Sequence, residues 1–136
     1  MTILLDIAKL LEQFPNLRTG HCWPNVQKSI TDEDIRRQVT KYQANPKAFK
    51  DPSKRSGDIF TRKRIDHVRS IAYFVSEGWS EPIWVDLGIP SQGFLPEWPV
   101  DDGNHRLRAA IFRKDKCIMA SVCGEVNFIE QFRYQE

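Results

Sequence analysis

The second half of this chain is the better organised, and two glycines punctuate it. Across residues 65–77 the apolar positions Ile65, Val68, Ile71, Ala72 and Val75 recur at helical spacing on one face. Gly78 follows at once, and a glycine there ends a helix because it enters the left-handed region without steric cost. Pro82-Ile83-Trp84-Val85-Asp86-Leu87 then supplies branched and aromatic side chains suited to a short strand. A connection rich in glycine and proline leads to residues 100–110, VDDGNHRLRAA, where Gly103 separates a short strand from a helix predicted over 107–114. Cys117 to Val126 reads as a final buried strand. Helix, strand, loop, short strand, helix and strand in this order predict a mixed α/β (α+β) domain, a small mixed sheet with helices packed on it.

The first 44 residues read as a helical and loop extension, with 45–136 as the domain proper and one compact unit overall. Leu4, Ile7, Ala8, Leu10, Leu11 and Phe14 predict an amphipathic helix over 3–14 that Pro15 and Asn16 stop, packed on the body or offered to a partner. Residues 16–30, with Gly20 and Pro24, read mostly as loop. Thr31 suits a helix N-cap, and Asp32, Glu33 and Asp34 suit the positive end of its dipole. Residues 35–43 fit either a continued helix or a strand. A length of 136 residues is ordinary for one domain.

Charge excludes little. The net charge of +2 does not by itself mark a nucleic-acid binder, so a basic face has to come from clustering. Lys47, Lys50, Lys54, Arg55, Arg62, Lys63 and Arg64 form such a cluster, with Asp51, Asp58 and Asp66 interrupting it. It fits a solvated loop or an arm that meets DNA phosphates. Cys22, Cys117 and Cys123 are odd in number and form no C-x-x-C pair, which argues against a disulfide scaffold and a zinc ribbon. Cys117 and Cys123 are expected as buried thiols. The start lacks a basic leader and no stretch reaches 18 apolar residues, so the expectation is a soluble, cytoplasmic protein without a membrane partner.

The crowded run at 101–108 carries the candidate chemistry. Gly103 lets backbone approach a ligand closely, and a helix that starts there presents N–H groups to a phosphate. Arg106 offers a planar fork for phosphate oxygens, with Arg108 either adding to it or lying solvated on the helix. Asn104 and His105 supply neutral donors, and His105 can carry a proton. Asp102 can hold Mg²⁺ beside a phosphate or act as a base. An equally plain reading is a capped Asp-Gly turn with surplus charge. His67 reads as a boundary histidine. Trp79, Trp84 and Trp98 serve as core filling or as platforms for a base.

The helix ending at Gly78, the Pro82–Val85 strand and the Asp102-Gly103-Asn104-His105-Arg106-Leu107-Arg108-Ala109-Ala110 turn resemble, in that order, the ParB/sulfiredoxin-like domain. The likeness spans about residues 65–126, and Asn45-Pro46-Lys47 offers a looser upstream counterpart. It implies that Gly103, Asn104, His105 and Arg106 cradle the phosphates of CTP or ATP with Mg²⁺, and that Gly78, Glu81 and Pro82 lie on the nucleoside or substrate side. Asn104 stands where sulfiredoxins place their cysteine, so reduction of cysteine sulfinic acid is not expected. Ten residues follow Val126, so the DNA-reading domain of partition proteins is not expected.

Three readings follow from the resemblance. The leading one is a stand-alone nucleotide-binding protein, with NTP hydrolysis or phosphoryl transfer in which Asp102 and His105 are the catalytic candidates. The others are a ParB-like DNase and a non-enzymatic inhibitor of a host protein from a mobile element, with Trp23-Pro24 at its contact surface. A homodimer stays open.

Overall fold

Alternation along β4 (Cys117–Cys123) sets the sheet. Ile118, Ala120 and Val122 are buried on one face, while Cys117, Met119, Ser121 and Cys123 take the other. The computed structural model describes residues 1–54 and 61–136. In it β1 (Thr2–Asp6) pairs antiparallel with one side of β4, and β2 (Ile83–Asp86) pairs parallel with the other. β3 (Val100–Asp102) runs antiparallel to β2, which gives the order β1-β4-β2-β3. The mixed α+β class expected from the sequence is the one observed.

The N-terminal segment departs from its expected single helix. Ile3 and Leu5 are buried toward the core and Leu4 faces away opposite Met119, a period of two. Asp6 then accepts a hydrogen bond from the Lys9 backbone N–H at 3.0 Å and starts α1 (Ile7–Gln13). Strand and helix share one apolar run, and the capping carboxylate divides them. The chain end covers the outer edge of β1: Asp6 N–H donates to the Phe132 carbonyl at 2.7 Å and Tyr134 N–H to that of Leu4 at 2.8 Å.

A single helical turn, α2 (Asn16–Thr19), interrupts the expected 16–30 loop. α3 (Asp32–Ala44) settles residues 35–43 as helix. Its start is a capping box, in which Asp34 N–H donates to Thr31 Oγ1 at 3.2 Å and Thr31 N–H to Asp34 Oδ2 at 2.9 Å. α4 (Arg64–Glu77) ends at Gly78 with φ +71°, as expected. α5 (Asn104–Arg113) begins directly after Gly103, three residues before the expected start. β4 stops at Cys123 rather than Val126, because Gly124 takes φ +133° and α6 (Val126–Glu130) follows.

Two apolar clusters share α5. Leu107 and Ala110 pack with Ile3, Leu5, Ile83, Val85 and Ile118 of the sheet and with α1 residues such as Leu10. Ala109 packs instead with Ile35 of α3, Val68 and Ile71 of α4, and Trp23 and Val26 of the preceding loop. Two adjacent alanines leave no bulk to hold the layers apart, so α5 sits between sheet and helices. Residues 1–44 therefore contribute an edge strand and packed helices to the same layers as residues 45–136.

The other sheet face is open, with Leu4, Met119 and Trp84 exposed on it. The cysteines differ from expectation for that reason: the odd-numbered positions of β4 point away from the core, so Cys117 is half-buried and Cys123 exposed. No helix among the described residues is long and apolar enough to cross a membrane.

Arg64 ties the starts of α3 and α4 together. It donates to the carbonyls of Lys28 at 3.1 Å and Ser29 at 2.7 Å, and it pairs with Asp34. Burial pushes the Asp34 carboxyl up, but the Thr31 N–H, the Arg64 hydrogen bond, the Thr31 hydroxyl and the Arg64 charge together bring it down to about 2. A depressed carboxylate contributes stability above its unfolded value, about 3.9, and loses it as pH falls through the folded one. Between pH 4 and pH 2 the melting temperature of the wild type is expected to fall more than that of Asp34→Asn, measured by circular dichroism. Parallel curves would show that the pair has no such role.

Candidate functional site

The turn between β3 and α5 is built against β2. Gly103 has φ +97°, and a Cβ there would lie 2.7 Å from the Ile83 Cβ, so the position excludes a side chain on two grounds. With glycine at the N-cap, no capping oxygen stands at the positive end of α5. This helix start opens on a cleft of about 620 Å³.

The cleft brings together most of the residues expected from the sequence. Gly78, Glu81, Asp102, Gly103, Asn104, His105 and Arg106 all line it. Arg62 from the basic cluster reaches its wall, and Trp79 lines it with one face under the Arg113 guanidinium, 4.8 Å from the ring centre.

Several of these side chains are committed to the protein itself. Arg106 Nη1 donates to the carbonyls of Glu81 at 2.9 Å and Pro82 at 3.2 Å, and Nη2 lies 3.4 Å from Asp102 Oδ2. Its first task is to hold the 78–82 loop on α5. Pro82 takes part through that carbonyl and does not line the cleft. Asn104 Oδ1 accepts from Trp98 Nε1 at 2.8 Å, and Asn104 Nδ2 donates to the Val100 carbonyl at 3.2 Å. Trp98 is thus a support for the turn.

Other expectations fall outside the cleft. Arg108 points to the other side of α5, donating to the Ile30 carbonyl at 3.3 Å and pairing with Asp32 at 2.7 Å. It is neither at the Gly103–Arg106 turn nor solvated surface. Lys47, Lys50, Lys54 and Lys63 are exposed and do not line the cleft, and Arg64 is held by Asp34. Arg55 and Asp58 lie outside the described residues. Trp84 is 57% exposed on the open sheet face, away from any platform role in the cleft.

The site also contains residues that no local pattern had marked. Trp23 is buried, not a contact surface, and its indole lies parallel to His67 at 4.6 Å and to His105 at 4.7 Å between centroids. His67 is 0% exposed rather than at a boundary, and its Nδ1 is 2.9 Å from Nε2 of His105. The side chain points inward because α4 turns that position toward α5, beside Val68. Asp51 and Tyr73 line the same cleft, and burial with the Asp51 charge and hydrogen bond pushes the Tyr73 phenol up.

The chain matches no family model, no curated protein and no solved structure. Function must therefore be argued from the cleft. No group of three or more His, Cys, Asp or Glu side chains among the described residues is placed to hold a metal ion. The Asp102 carboxylate is 72% exposed at the cleft wall. Mg²⁺ commonly takes one or two protein carboxylates and completes its shell with water and substrate phosphate. Asp102 fits that partial role, for an ion that arrives with a phosphate.

Truncating Arg106 leaves the Glu81 and Pro82 carbonyls without their donor. Arg106→Ala is expected to lose about 1–3 kcal/mol in urea denaturation. Arg62→Ala should stay within about 0.5 kcal/mol. Equal effects would contradict the clamp role.

Proposed function

We propose that this protein binds a nucleoside triphosphate with Mg²⁺ at the start of α5, and that His105 moves a proton as a phosphate is cleaved or transferred. The observation that carries this reading is the convergence of the Gly103–Arg106 turn, His105, Asp102, Glu81 and Gly78 in one cleft. The order of motifs resembling ParB/sulfiredoxin-like domains supports it and makes CTP and ATP the first candidates. The helix start would meet phosphate oxygens through backbone N–H groups, and Asp102 would hold the ion. In hydrolysis a water oxygen bonds to the terminal phosphorus, the bridging P–O bond breaks, and the water proton passes to His105.

Charge separates this reading from cleavage of DNA. Asp51, Glu81, Asp101 and Asp102 line the cleft against Arg62 and Arg106, and Arg106 already serves two carbonyls. Such a wall suits a phosphate that arrives with a bound cation and repels a bare polyanion. Lys47, Lys50 and Lys54 stand outside it.

Calorimetric titration with CTP, ATP, GTP and UTP in Mg²⁺, together with phosphate release, tests the proposal. At least one nucleotide is expected to bind, with weaker binding by Asp102→Asn. His105→Ala should retain binding and release phosphate about 10²-fold more slowly. A wild type that binds none of the four, or a His105→Ala variant as fast as wild type, overturns it.

A further inference from the structure

We infer that His67 is a positioning residue for His105: the buried imidazole of α4 fixes the tautomer and orientation of the cleft imidazole of α5. The step to catalysis rests on the function proposed above; the structural step does not.

Two imidazole nitrogens 2.9 Å apart need one hydrogen between them. If His67 donates from Nδ1, neutral His105 carries its proton on Nδ1. If His105 donates from Nε2, His67 carries its proton on Nε2. Either way, the tautomer of one ring dictates that of the other.

Trp23 adds the second constraint. Its indole lies within 17° of the His67 plane and 12° of the His105 plane, and the two imidazoles are themselves 24° apart. Rotating either ring would break both a stack and a hydrogen bond. Chains from the 20–30 loop, α4 and α5 thus meet in one flat-stacked group at the cleft wall. His105 lines the cleft, so the contacts that orient its ring also set how it faces a ligand there.

Long-range ¹H–¹⁵N NMR of the full chain tests this at one alkaline pH, where the carboxylates of Asp51, Asp66, Glu81, Asp101 and Asp102 and the guanidinium groups of Arg62 and Arg106 keep constant charge. Wild-type His105 and His67 are expected as complementary tautomers with a scalar coupling across the hydrogen bond between them. His67→Phe keeps a ring against Trp23 and removes both nitrogens; His105 should then become a tautomer mixture. Phosphate release should fall at least about tenfold, with nucleotide affinity within about twofold, and His67→Gln should recover part of the rate. Absence of the coupling, or an unchanged His105 tautomer in His67→Phe, overturns the inference. Should His67→Phe not fold, the wild-type coupling alone decides. A wild type with the coupling but no nucleotide binding would sink the proposed function and leave the His67–His105 pairing standing.

Discussion

The contact of the Gly103 backbone with Ile83 fixes where everything else near the cleft can be. β3 is only three residues long and pairs with β2, so this packing, with the Asn104 and Arg106 hydrogen bonds, sets the direction in which the chain leaves the sheet. With φ at +97° and Ile83 against the Cα, α5 starts at one place and heads across the sheet. Ala109 and Ala110 then let it lie close to both layers, the sheet below and α4 above. His105 reaches His67 because of this closeness. A bulkier α5 would part the two rings.

Legibility in the sequence followed the range of the interactions. α4, Gly78, β2 and the β3–α5 turn were readable, since apolar spacing, branched residues and glycine act within a few positions. The N-terminal strand was not, because Leu4, Ile7, Ala8, Leu10, Leu11 and Phe14 satisfy helical spacing as one run. The dividing signal was Asp6, a good N-cap in the middle of that run. Trp23, His67 and Asp51 were out of reach for a different reason. Trp23 and Asp51 reach the cleft, and His67 reaches the cleft residue His105, through contacts between segments tens of residues apart, and no periodicity along the chain encodes that. His67 in particular sits beside Val68 in sequence, where a polar residue ordinarily marks the rim of a helix face.

Arginine was the least legible residue type. In sequence, Arg64, Arg69, Arg106 and Arg108 add to a basic inventory. In the fold, each donates to backbone carbonyls: those of Lys28 and Ser29, Ala48, Glu81 and Pro82, and Ile30 respectively. Arg69 also covers the Phe49 ring at 4.3 Å. These loops lack regular partners for their carbonyls, and a guanidinium with five donors can satisfy two at once. The positive charge is real, yet its geometry is already determined by the chain.

That use of arginine bears on what the cleft can hold. Removing Arg64, Arg69 and Arg108 from the ligand-facing set leaves Arg62, the Asp102-facing side of Arg106, and the start of α5 as sources of positive potential among the described residues. Against them stand four carboxylates, Asp51, Glu81, Asp101 and Asp102. Backbone N–H groups bind phosphate at short range and with strict direction, whereas carboxylates repel it over the width of the cleft. An anionic ligand therefore gains from entering as a complex with a divalent cation. On the function proposed above, the exposed Asp102 carboxylate meets the cation and proton transfer falls to the His105 imidazole.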